Sequence, residues 1–133
     1  MSKTVIFDDE FITVWYYPED KIIHHQFHKY TQGQTLRDAF SAGAEILEKN
    51  RAQKWLSDDR LSSVINEEDM KWTSTVWRPL VTKAGWKYWA LVLPEKAVGK
   101  LNMNRIIKDY ANTGVTVKTF SEPDEGLKWL KDQ

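Results

Sequence analysis

The sequence predicts one α/β domain over residues 1–133, a mixed β-sheet with an N-terminal antiparallel meander followed by βα units, in the order β-β-β-α-β-α-β-α-β-α. Three observations lead there. The first thirty residues hold three short runs of β-branched and aromatic side chains divided by polar turns. The rest alternates helix-period and strand-type segments. Finally, 133 residues with 41% hydrophobic content suffice to bury roughly 70% of the surface exposed by the unfolded chain, so no disulfide or structural metal is required.

Val5 to Phe7 and Phe11 to Tyr17 read as two strands joined through Asp8-Asp9-Glu10, and Pro18-Glu19-Asp20-Lys21 turns the chain into a third strand, Ile22 to Lys29. From Thr35 the period becomes helical. Leu36, Phe40, Gly43 and Leu47 mark one stripe, and Thr35 with Asp38 forms a plausible capping pair. Lys54-Trp55-Leu56 reads as the fourth strand. Asn66 then caps a second helix whose first turn, Glu67-Glu68-Asp69, complements the helix dipole. Along that helix Trp72, Val76 and Leu80 recur every four residues beside Met70 and Trp77, and Pro79 predicts a kink or an early end. Gly85 closes the segment before a buried strand, Lys87 to Leu93. Met103, Ile106, Ile107 and Tyr110 define a third helix over Asn102 to Tyr110. Asn112-Thr113-Gly114 turns into a last strand, Val115 to Thr119, and Ser121 with Asp124 caps a C-terminal helix carrying Leu127, Trp129 and Leu130.

Composition narrows the function. Nineteen basic side chains balance nineteen acidic ones, which leaves no electrostatic footprint for a phosphate-driven nucleic-acid binder. Zero cysteines exclude thiol and cysteine-based metal chemistry. The longest apolar run, Trp89 to Leu93, is too short to span a bilayer, and the N-terminus has no export leader, so a cytoplasmic protein is expected. No nucleophile elbow, phosphate loop, zinc-binding helix or calcium loop occurs. The expectation is therefore a non-catalytic protein with no cofactor and no metal.

Three places hold chemistry-bearing residues. On a strand His24 and His28 share a face roughly 13 Å apart while His25 points to the other, so they cannot chelate one ion together and read as a polar sheet face. Asp58, Asp59 and Arg60 lie where a strand ends before a helix, the usual place for ligand crevices, yet these acids also suit a turn or an ion pair with Arg60. Trp72, Trp77, Trp86 and Trp89 crowd into eighteen residues with Tyr88. They read chiefly as core, with a groove between the second and third helices as the functional alternative.

The element order, Leu56-Ser57-Asp58-Asp59-Arg60 after the fourth strand, Glu68-Asp69-Met70-Lys71-Trp72 opening the next helix, Gly85 before the core strand and the closing Glu125-Gly126-Leu127-Lys128-Trp129-Leu130 together resemble the STAS-like fold. This is the fold of anti-sigma-factor antagonists and their SpoIIAA-like relatives, related in architecture to CRAL-TRIO lipid carriers. The resemblance implies a regulatory or protein-interaction module. In its signalling members a serine after the fourth strand is a phosphorylation switch; Ser57, Ser62 and Ser63 stand in that stretch, without the Asp-Ser-small-Gly pattern. The first functional expectation is thus partner binding through Asp58, Arg60, Ser62 and Ser63. The alternative is an apolar small molecule or lipid bound between the second and third helices by Trp72, Trp77, Met103 and Ile107. A weak enzyme using Asp58 and His25 ranks last, and the sequence leaves homodimerisation open.

Overall fold

The computed structural model describes residues 2–62, 64–110 and 113–133. Its six strands form one sheet in sequential order, β1 (Thr4–Asp8), β2 (Ile12–Tyr17), β3 (Ile22–Phe27), β4 (Lys54–Asp58), β5 (Tyr88–Val92) and β6 (Thr116–Phe120). The first three pair antiparallel and the last three join in parallel, giving the mixed sheet that the sequence predicts. Between the parallel strands lie α1 (Gln34–Asn50), then α2 (Glu67–Trp72) running through a π-helical turn (Thr73–Trp77) into α3 (Arg78–Ala84), and α4 (Ala97–Tyr110). Last comes α5 (Pro123–Lys131). Right-handed crossovers between strands laid down in one direction put successive helices on one face. The larger core accordingly gathers Leu36, Trp77, Val81, Met103 and Tyr110 over Val14, Ile23, Trp55 and Trp89. On the other face α5 brings Leu130 onto Leu56, Ala90 and Val92.

Local capping departs from the sequence reading in two helices. α1 begins after Gly33, whose φ of 67° suits glycine, with no capping side chain, so the Thr35 and Asp38 pair does not form. Its first turn is closed from a distance instead: the Asp69 carboxylate, 1% exposed, accepts from Gly33 N at 2.9 Å and lies 3.5 Å from Arg37 Nε. A negative charge there meets the positive end of the α1 dipole. Asn66 does cap α2, accepting from Asp69 N at 2.8 Å, and so orients the residue that holds α1. In α5 the N-cap is Glu122, with Pro123 in the first turn and no side-chain cap, so Ser121 and Asp124 do not pair.

The second correction concerns Val76 and Leu80. They are 53% and 51% exposed, while Trp77 and Val81 are buried. Arg78 N bonds back to Thr73 O, five residues away, because Pro79 lacks an N–H and its ring crowds the carbonyl four residues before it. The helix absorbs the proline as a wider turn instead of ending. Residues 69, 73, 77 and 81 thereby stay on one inward face.

Gly43 sets the distance of α1 from the sheet. A Cβ there would collide with Trp55 Cη2 and lie 3.1 Å from Cζ3. Gly43→Ala is expected to lower stability by about 1–3 kcal/mol through overpacking, read as a fall in the urea midpoint.

Candidate functional site

Strand register assembles the polar part of the site. His25 on β3 stands opposite Ser57 on β4, one step beyond the row formed by Ile23, Trp55 and Trp89. Alternation along β4 sends Trp55, Ser57 and then Asp59 to the α1 face and Asp58 to the α5 face. Asp59 N bonds Val92 O at 3.1 Å, so the ladder carries one residue past the strand end and fixes the direction of that carboxylate. His25, Ser57 and Asp59 are each 3% exposed.

Their hydrogen bonds determine the protons. Trp55 Nε1 donates to His25 Nδ1 at 2.9 Å, and an indole nitrogen can only donate. His25 therefore carries its hydrogen on Nε2, which donates to Asp59 Oδ1 at 2.8 Å. Trp89 Nε1 donates to Ser57 Oγ at 2.8 Å. Both imidazole nitrogens are occupied, which leaves His25 no lone pair for a metal or a substrate proton. Among the described residues no group of three or more His, Asp or Glu side chains is placed to hold a metal ion.

These polar groups floor a cavity of about 40 Å³ whose walls include Phe40, Trp55, Trp77, Trp86, Trp89, Met103 and Tyr110. Trp55 and Trp77 meet edge to face with centroids 5.1 Å apart, as do Trp77 and Trp86 at 5.4 Å, while Trp89 and Tyr110 are tilted against each other at 4.9 Å. The remaining indole donors are satisfied by Phe40 O and Tyr88 O, so each ring is held at a defined angle. Burial pushes the Tyr110 phenol above its usual range. A second chamber of about 300 Å³ adjoins the first, sharing Ile65, Thr73, Ile106 and Tyr110 with it. Lys71, Arg78, Arg105, Glu67 and Asp109 line its mouth, where Arg78 stacks 4.6 Å over Tyr110 and donates to Asp109 O at 3.2 Å.

The expected residues fall in different places. Trp77 and Met103 line the inner chamber. Trp72 and Ile107 line neither chamber; both are half-buried against the aromatic core, with the Arg37 guanidinium 5.7 Å from the Trp72 ring. Asp58 and Ser62 are buried, 2% and 6% exposed, which does not suit surface contacts. Arg60 clamps Asp58 through Nε and Nη2, each at 2.9 Å, and reaches Glu122 at 3.5 Å. That bond to Asp58 raises the guanidinium pKa further. Ser63 lies outside the described residues. Asp58 and His25, the pair considered for catalysis, face opposite sides of the sheet; the acid bonded to His25 is Asp59. Extending the period-2 pattern of Trp55 and Ser57 by one more step would have found it.

The histidines also depart from a polar sheet face. His24 is 8% exposed beneath Trp15 and Tyr17, bonded through Nδ1 to Tyr17 Oη at 3.0 Å, and its Nε2 has no partner. His28 lies beyond the strand end, with Nε2 2.7 Å from Thr13 Oγ1.

Compared with known protein families, with curated proteins and with solved structures, the chain matches none.

Two outcomes test these bonds. Burial lowers the His24 pKa to about 3 from 6.5, with His25, Lys3 and Arg60 acting in the same direction and Asp58 against it. Between those values the unfolded state binds the extra proton. The His24 contribution is therefore intact above pH 6.5 and is lost as pH falls toward 3, with a slope of up to about 1.4 kcal/mol per pH unit. Urea midpoints should drop more between pH 7 and 4.5 in the wild type than in His24→Phe; parallel profiles would contradict the assignment. Trp55→Phe keeps a ring but removes the donor, and should cost about 1–3 kcal/mol while releasing the His25 tautomer. Nitrogen-15 spectra of the imidazole report the tautomer directly.

Proposed function

We propose that the protein is a non-catalytic binder of a small amphipathic molecule, held in the two-chambered cleft between the π-turn helix and α4. The observation that carries this reading is an aromatic inner chamber set against an outer one of about 300 Å³, the lower end of small-molecule pocket sizes, with Ile65, Thr73, Ile106 and Tyr110 lining both. A π-turn lining a cavity supports it, because such turns concentrate at functional sites. The occupied imidazole supports binding over catalysis. Contact with a protein partner through Asp58, Arg60, Ser62 and Ser63 is the weaker reading, since two of those residues are buried and Arg60 is committed to Asp58. A STAS-like ancestry belongs to the same proposal, supported by the mixed sheet and the βα units that follow its meander.

Titration with straight-chain alcohols from butanol to decanol should change the tryptophan emission saturably with one site per chain. Ile106 is half-buried and lines both chambers, so Ile106→Trp should weaken binding at least tenfold with an unchanged urea midpoint. A flat emission response across the alcohols would remove the proposal.

A further inference from the structure

Asp59 is a buried carboxylate in an apolar surrounding, and its partner is His25. Trp55 donates to His25 Nδ1, so what His25 offers Asp59 is the single N–H on Nε2, at 2.8 Å. Among the described residues no lysine or arginine pairs with Asp59. The nearest guanidinium in sequence, Arg60, is held on the opposite face by Asp58. A carboxylate removed from water without a counter-charge is costly, and a cation placed beside it in low dielectric recovers much of that cost.

Resting on the cleft reading above, we infer that the inner chamber accepts a positively charged nitrogen, the protonated amine of a small amphipathic ligand, against Asp59. Ser57 Oγ accepts from Trp89 and keeps a second lone pair, so an ammonium with three N–H groups can donate to both residues. The walls fit the same charge: Trp77, Trp86 and Trp89 present indole rings, whose faces attract cations. A volume of about 40 Å³ exceeds the roughly 10–15 Å³ that a cavity needs to hold one water, which is room for the amine and a carbon or two. The rest of the ligand extends past Thr73 and Ile106 into the outer chamber. An anionic group at this depth would be repelled by Asp59.

The test compares hexylamine, 1-hexanol and hexanoate on the full chain at pH 7 by tryptophan fluorescence and calorimetry. Hexylamine should bind at least tenfold more tightly than 1-hexanol, with hexanoate weakest, and Asp59→Asn should bring the amine within twofold of the alcohol. Equal affinity for hexylamine and 1-hexanol in the wild type overturns the inference and leaves the cleft reading intact. Binding of none of the three overturns both. Should Asp59→Asn fail to fold, the wild-type ranking decides, with Ile106→Trp required to abolish the hexylamine signal as proof that it arises in the cleft.

Discussion

Trp55 can direct the end of its indole at α1 only because Gly43 has no side chain, and most of the larger core is arranged around that contact. The indole is 1% exposed and meets His25, Phe40, Trp77 and Trp86. Truncating a buried aromatic of this kind costs about 3–5 kcal/mol, a large part of the net stability of a small domain. The same ring performs a chemical task. Its N–H selects the His25 tautomer, and the tautomer directs the remaining hydrogen to Asp59. Packing and proton placement are thus settled by one side chain.

Two adjacent acids illustrate how strand alternation divides labour. Asp58 and Asp59 differ by one residue and point to opposite faces. Asp58 is neutralised by a two-point guanidinium contact at the C-terminal end of β4. Asp59 stands among aromatic rings with the His25 imidazole as its partner. Identical chemistry in different surroundings gives one group a structural role and leaves the other with unspent capacity for a ligand.

The π-turn has a comparable double effect. It lets Pro79 stay within a helical segment, and it keeps Thr73 and Trp77 directed at the cleft while Asp69, one step earlier on that face, secures the start of α1. The helix beside the cleft is therefore anchored to α1 by a buried carboxylate.

The order of strands and helices was legible in the chain, because hydrophobic period, turn residues and the Asn66 cap are local signals. The aromatic crowding that forms the cavity was legible too, as were Trp77 and Met103 among its walls. Trp72 and Ile107, the exposure of Val76 and Leu80, and the failure of two expected caps were not. A one-residue adjustment at the π-turn rotates everything after it, and no local pattern distinguishes a wide turn from a regular one. The pairing of His25 with Asp59 joins residues thirty-four apart, through the parallel register of β3 and β4. Composition and periodicity decide which faces are buried. Which acid meets which base depends on strand register and on the height of α1 above Trp55, and both are set only when the sheet and its helices close on one another.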